Sequence, residues 1–165
     1  MTIPPLLEAL RSLRSTGWMV QELATPEPLP RHVQERYAWL PDNIRQFVEA
    51  IELAFSANEK TWLLTVRDFA GASNSAFVWN EWEVQSLDAT SAVADRARIV
   101  TFWDKHFPLL MSVRSGYAYL AVEKDSLAIV EGTEPEFEES RLIAGSALEL
   151  FQRMLAADPA KTPWA

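Results

Sequence analysis

A chain of 165 residues with 48% hydrophobic side chains is long enough for one domain with its own core and too apolar for a disordered protein. The formal net charge is -8 and no stripe of Lys and Arg occurs, so the sequence does not favour nucleic acid as a partner. Because Cys is absent, disulfides, thiolate metal ligands and cysteine nucleophiles are excluded, and we predict neither a metal site nor a cofactor.

The N-terminal residues, 1–23, predict a helix followed by a stop at Gly17. Five apolar residues recur there at helical spacing: Ile3, Leu6, Leu7, Leu10 and Leu13. The polar face is not strongly basic, which favours a helix docked on its own domain over an amphipathic membrane anchor. Since neither a cleavable signal nor an apolar run of about 20 residues is visible, we expect a cytoplasmic protein that does not enter a membrane.

A connector and a second helix come next. Residues 24–36 contain Pro at positions 26, 28 and 30, a spacing that favours an extended spacer on the surface. The body of the single domain, residues 40–157, then opens at Leu40-Pro41-Asp42. Apolar residues at helical spacing predict a helix from there to Phe55, with Pro41 near its first turn.

The middle of the chain gives weaker patterns. Residues Thr61–Val66 are short, apolar and rich in β-formers and predict a strand, with Phe77-Val78-Trp79 pairing back to it. The segment WNEWEVQSL that follows suits a helical turn packed over a sheet. Residues 91–106 favour a helix, although a strand beginning at Ile99 stays open. That helix would bury one face, made of Val93, Ala97, Val100 and Trp103.

Three strand-like runs separated by short turns predict an antiparallel meander: Pro108–Val113, Gly116–Val122 and Leu127–Glu131. An acidic turn, residues 132–139, is then expected to lead into a final helix starting at Ser140. The buried stripe of that helix would be Ile143, Ala147, Leu150, Phe151 and Met154, followed by a tail of residues 158–165. This arrangement predicts one α+β domain.

The most informative part of the chain is Phe102–Ser140, which combines the predicted meander with a concentration of negative charge. Its acidic segment, Asp125–Ser140, contains six carboxylates and no Lys or Arg. Glu138 and Glu139 would directly precede a helix, whose N-terminus carboxylates stabilise. Two interpretations of the remaining glutamates stay open: a solvated edge of the domain, or, because crowded like charges destabilise a fold, a surface for a basic partner. The candidate partner-binding residues are Glu131, Glu134, Glu136, Glu138, Glu139, Tyr117, Tyr119, Trp79 and Trp82.

No catalytic or phosphate-binding motif accompanies this segment. Asp104 and His106 with Ser112 or Ser115 supply the residue types of a hydrolytic triad, but no nucleophile elbow occurs. Asp104 is better explained as a residue that flanks a helix and His106 as one that ends it. We therefore predict no catalytic residues and no enzymatic activity.

Four segments resemble the SUKH superfamily, named in part for fungal Smi/Knr-type regulators. They are the LPDNIRQFVEAIE helix from Leu40, the block Phe102–Pro108, the strand Gly116–Tyr119 and the turn Glu134–Glu138 before a C-terminal amphipathic helix. The resemblance covers Leu40 to Leu155. It implies a curled, mostly antiparallel sheet with helices packed around it and no enzymatic activity. Bacterial members are similar to immunity proteins that neutralise toxins, often nucleases, by direct binding.

Charge and resemblance together predict a cytoplasmic protein-binding module of the bacterial immunity type. Its partner would be a basic toxin, for example a nuclease, whose substrate-binding face an acidic protein could cover. The alternative is a small-ligand-binding or regulatory domain that uses a Trp-lined pocket.

Overall fold

A computed structural model describes residues 3–74, 76–157 and 164 of the chain. The helices in these residues are α1 Pro5–Ser12, α2 Arg31–Arg36, α3 Asp42–Ala50, α4 Val66–Phe69, α5 Glu81–Asp88, α6 Val93–Asp104 and α7 Ala147–Ala156. The strands are β1 Met19–Glu22, β2 Ile51–Phe55, β3 Thr61–Leu63, β4 His106–Ser112, β5 Ala118–Glu123, β6 Ile129–Thr133 and β7 Arg141–Ala144. A turn of 3₁₀ helix, Leu13–Thr16, extends α1.

The strands form one open, curled sheet in the order β1-β2-β3-β4-β5-β6-β7, and each is antiparallel to its neighbours. Helices pack around this sheet, so the predicted α+β fold is confirmed. The predicted meander corresponds to β4, β5 and β6. Short turns between antiparallel strands bring neighbours in sequence together in the sheet, which is why these three strands could be recognised.

Cross-strand register divides the central side chains into two rows. The first row is Trp62, Met111, Tyr119 and Gly132, on what we call the first face of the sheet. The second row is Leu63, Leu110, Leu120 and Glu131, which is buried throughout. At β5 the first face is covered by α5 and α6, because the rings of Trp82 and Trp103 lie 5.4 and 4.7 Å from the ring of Tyr119.

The N-terminal helix forms where the apolar spacing predicts it. Leu6, Leu10 and Leu13 are buried, each contributing about 1.5–3 kcal/mol, and Gly17 ends the 3₁₀ turn with φ of 95°. The helix does not fill residues 1–23, however, because Met19–Glu22 pair with β2 as an edge strand. The pairing partner lies about 30 residues away, so local periodicity gave no sign of it.

The helix predicted from Asp42 to Phe55 is wrong in its second half. It ends at Ala50, and Ile51–Phe55 continue as β2 between β1 and β3. The missed signal is the alternation of Ile51, Leu53 and Phe55, a period of two that places Leu53 and Phe55 on one side of the strand. Two neighbouring strands supply hydrogen bonds that the helix would have made internally.

The Pro-rich connector, predicted as extended over residues 24–36, ends in a short helix, α2. Leu29 and Val33 are buried, and the backbone N–H of Leu29 donates to the buried carboxylate of Glu49 at 2.9 Å. The guanidinium of Arg36 donates to Glu83 at 3.0 Å and to Asp104 at 2.8 Å. These bonds tie the connector to α5 and α6, so it is part of the packed domain.

Residues 64–104 differ from expectation in detail. The predicted strand Thr61–Val66 stops at Leu63, because the N–H of Thr65 donates to Asp68 at 2.8 Å and α4 begins at Val66. Phe77-Val78-Trp79 form no strand. The helices α5 and α6 are present as predicted, but α6 buries Ile99 and Trp103 and leaves Val93 83% exposed and Val100 40% exposed.

The C-terminal helix begins seven residues later than predicted. Arg141–Ala144 form β7, and α7 starts at Ala147 with the hydroxyl of Ser146 accepting from the N–H of Glu149 at 3.1 Å. The predicted stripe is otherwise correct, since Ala147, Leu150, Phe151 and Met154 are buried, whereas Ile143 belongs to β7. Of the tail, residues 158–163 and 165 lie outside the described residues, and Trp164 is buried.

Candidate functional site

The acidic segment Asp125–Ser140 spans the turn after β5, the strand β6 and the loop to β7. Its glutamates divide into two groups by the direction of their side chains. Glu131 and Glu138 are turned towards the protein, whereas Glu134, Glu136 and Glu139 are exposed. The segment therefore presents fewer negative charges to solvent than its composition suggests.

Glu131 is a buried structural carboxylate. It is 7% exposed, and its two oxygens accept from the guanidinium of Arg141 at 2.6 Å and from the indole N–H of Trp164 at 3.0 Å. A buried carboxylate is tolerated when it is paired and hydrogen-bonded in this way. A partner could not contact Glu131 in this conformation, which corrects its prediction as a partner-binding residue.

Glu138 also bonds inside the protein. It is half-buried and accepts from the indole N–H of Trp103 at 2.9 Å and from the hydroxyl of Ser86 at 3.0 Å, joining the loop to α6 and α5. The predicted helix-capping role of Glu138 and Glu139 is wrong, because β7 separates them from α7. The carboxylate in the first turn of α7 is Glu149.

Glu134, Glu136 and Glu139 form what we call the acidic cluster. In the part of the chain that the structure describes, none of the three makes an ion pair. Their loop is nevertheless held in place: the N–H of Glu134 donates to the carbonyl of Tyr117 at 2.9 Å, and that of Glu139 to the carbonyl of Glu136 at 3.0 Å. The charges are thus presented on a defined loop.

Of the four predicted aromatic contacts, only Tyr117 is substantially exposed, at 40%. Trp82 and Tyr119 are fully buried, which corrects their prediction as candidate partner-binding residues. Trp79 is half-buried with its ring 5.2 Å from that of Phe69. The hydroxyl of Tyr119 donates to the carbonyl of Phe137. Burial, reinforced by the nearby Glu138 carboxylate, raises the pKa of Tyr119 well above its ordinary range.

The residue types of a hydrolytic triad are not brought together. His106 and Ser112 are the first and last residues of β4, so about 20 Å of strand separates them. Nδ1 of His106 bonds to the carbonyl of Phe102 at 2.6 Å, and its ring stacks on Phe102 at 3.8 Å. Burial lowers the pKa of His106 despite that hydrogen bond. Asp104 instead pairs with Arg36.

The sequence indicates no location for the Trp-lined pocket of the alternative prediction, and the structure contains a candidate for it. Two neighbouring cavities of about 570 and 370 Å³ share Trp62, Phe77 and Met111 in their walls. We call this continuous depression the groove. It lies on the first face of the sheet over β2, β3 and β4, and extends to Tyr117. The correct assignment of β2 as a strand would have placed Leu53 and Phe55 beside Trp62.

Comparisons with protein-family models, with characterised proteins and with solved structures give no match for this chain. The SUKH resemblance therefore stays a prediction. Among the described residues, no helix is long and apolar enough to cross a membrane. Within the same residues, no group of three or more His, Asp or Glu side chains is arranged to hold a metal ion.

Proposed function

We propose that this chain is a non-enzymatic protein-binding module that neutralises a basic toxin, such as a nuclease, by direct contact in the cytoplasm. The observation that carries the proposal is the acidic cluster Glu134, Glu136 and Glu139, whose carboxylates make no ion pair in the described part of the chain. Unpaired like charges on one loop repel each other, and a basic partner would relieve that repulsion. The SUKH resemblance supports a bacterial immunity role.

The surroundings of the acidic cluster suit a protein contact. Tyr117 is exposed, and its carbonyl accepts from the N–H of Glu134, so an aromatic side chain stands beside the charges. Interfaces combine such aromatic anchors with a charged rim that steers the partner and raises the association rate.

The test is binding to the polypeptides encoded in the reading frames next to this one. We expect a basic polypeptide to bind, with an affinity that falls as salt rises. The triple variant Glu134→Gln, Glu136→Gln, Glu139→Gln should weaken binding about tenfold or more. The matched control removes three other exposed carboxylates, Glu8→Gln, Glu35→Gln and Glu59→Gln, and should change the Kd by less than about twofold. Absence of binding, or equal losses in both triple variants, would refute the proposal.

A second candidate function is favoured by the groove alone. Its larger cavity, about 570 Å³, falls within the size range of small-molecule sites and has Trp62 in its wall. A regulatory ligand bound there would quench the fluorescence of Trp62. Titration of metabolite pools against the wild-type chain and against Trp62→Phe tests this: quenching that survives the substitution places the ligand elsewhere.

A further inference from the structure

The groove is a largely apolar surface that the described residues leave uncovered. On the same face of the sheet, Tyr119 lies fully buried under the rings of Trp82 and Trp103. Over β2 and β3 the cover ends, so Leu53 is 40% exposed and Trp62 is only half-buried. A contiguous apolar area of this kind on a folded domain marks an interaction site more often than chance exposure does.

The shape of the groove fits an extended chain. Gln21, Leu53, Trp62 and Met111 belong to four successive strands and line one depression. With strands about 4.8 Å apart, these four residues span about 14 Å, and the second cavity continues the depression towards Tyr117. A peptide in an extended conformation would cover the first part with about four residues. Phe77 stands between the two cavities, with its ring 6.3 Å from that of Tyr117.

The charges along the groove are mostly negative. Its lining includes Glu52, Asp68 and Glu81 and one cation, Arg67, which donates to Glu27 at 2.9 Å. Asp68 is used by the fold, since it accepts from the N–H of Thr65.

Glu52 and Glu81 hydrogen-bond to amide side chains and make no ion pair with a described cation. Glu134 of the acidic cluster lines the next depression, which shares Gln85 with the groove. Negative charge therefore borders the apolar surface along its length.

We propose that the groove binds an extended, positively charged segment of a protein partner, whose apolar side chains pack on Trp62 and Leu53 while its Lys or Arg side chains pair with Glu52 and Glu81. This inference rests on the proposed protein-binding function. It adds that the partner segment carries basic residues alternating with apolar ones. Charge complementarity selects this occupant over an acidic or neutral segment. Alternation follows because successive side chains of an extended chain point to opposite sides.

The test uses a display library of random twelve-residue peptides selected on the full chain. Enriched peptides should carry a net positive charge and apolar residues at alternate positions.

The Kd of the enriched peptides, measured by fluorescence anisotropy, should rise about tenfold or more for Leu53→Asn, an exposed position in the groove. The double variant Glu52→Gln, Glu81→Gln should weaken binding similarly and flatten its salt dependence. Leu142→Asn is the matched control, because Leu142 is 69% exposed on β7, at the opposite edge of the sheet. It should change the Kd by less than about twofold.

The outcomes separate this proposal from the toxin-binding function. Any one of three results would overturn the groove assignment. They are no enrichment over the Leu53→Asn chain, enriched peptides without positive charge, and equal binding to Leu53→Asn. If no peptide is enriched, a metabolite that quenches the fluorescence of Trp62 would reassign the groove to a small ligand. A toxin that binds this chain but is indifferent to Leu53→Asn leaves the protein-binding function standing and removes the groove from it. If selected peptides bind but no toxin does, the groove assignment is supported and the toxin role is refuted.

Discussion

Glu131 and Glu138 can be compared with Glu134, Glu136 and Glu139, which share the same short acidic segment. The first two accept hydrogen bonds from Trp164 and Trp103 and join separate parts of the chain. The other three face solvent and make no ion pair with the described residues. A run of like charges in a sequence can therefore combine carboxylates that hold the fold together with carboxylates that face solvent. Only the exposed group is free to meet a partner.

The largest change in the free energy of unfolding is expected for a substitution beside the inward-facing Glu131, at Gly132. A Cβ atom at Gly132 would overlap the Tyr119 ring, which is packed against the rings of Trp82 and Trp103 and has no room to move aside. We expect Gly132→Ala to lower the free energy of unfolding by about 3 kcal/mol, measured by urea denaturation.

Gly145→Ala is the control for that substitution, because its Cβ would meet only the carboxylate tip of Glu149, at 2.8 Å. That tip belongs to a flexible side chain, so the loss should stay below about 1 kcal/mol. Equal losses in the two variants would show that the packing around Tyr119 is not tight.

The second prediction compares Glu131→Ala with Glu134→Ala. Removing Glu131 leaves the buried indole N–H of Trp164 without an acceptor, which costs about 2 kcal/mol. Removing the exposed Glu134 should change the stability by no more than about 0.5 kcal/mol. Glu131→Gln, which keeps an acceptor oxygen, should recover part of the loss. If Glu134→Ala costs as much as Glu131→Ala in urea denaturation, the division into inward and outward glutamates is wrong.

Glu138→Ala should have a smaller effect, about 1 kcal/mol. Trp103 and Ser86 lose their acceptor, but Glu138 is half-buried, so water can replace part of the interaction. Glu136→Ala is the matched control and should be neutral within about 0.5 kcal/mol. A shift of indole fluorescence in Glu138→Ala, absent in Glu136→Ala, would report the lost bond to Trp103 directly.

Much of the fold could be predicted from the sequence, because its signals are local. The strands β4, β5 and β6 follow one another through short turns, and α1, α3 and α7 carry apolar residues at helical spacing. The strand β1 could not, since its partner β2 lies about 30 residues away in the chain. The strand half of the predicted second helix could not either, because its apolar residues continue the helical spacing of the residues before it. Periodicity over five residues does not distinguish a short strand from the end of a helix.

The candidate site was harder to predict than the fold. Whether a glutamate of the acidic segment points inward depends on Trp103 and Trp164, which are 35 and 33 residues from their acceptors. Tyr117 and Tyr119 look equivalent in the sequence, yet Tyr117 precedes β5 and is exposed, whereas Tyr119 lies within it under two indole rings. No local pattern carries that information.

Alkaline pH should produce the smallest change in the free energy of unfolding, through the two buried tyrosines, Tyr119 and Tyr37. Burial raises the pKa of both Tyr119 and Tyr37 above the ordinary value of about 10, so the unfolded chain loses these protons first. Stability is therefore complete below pH 10 and falls as the pH rises through and above that value, by about 0.4 kcal/mol per tyrosine at pH 10 itself. Tyr119→Phe should remove about half of that slope in urea denaturations between pH 8.5 and 10.5. An unchanged slope would mean that Tyr119 ionises in the folded protein as readily as in the unfolded chain. The Tyr119 hydroxyl would then be open to water.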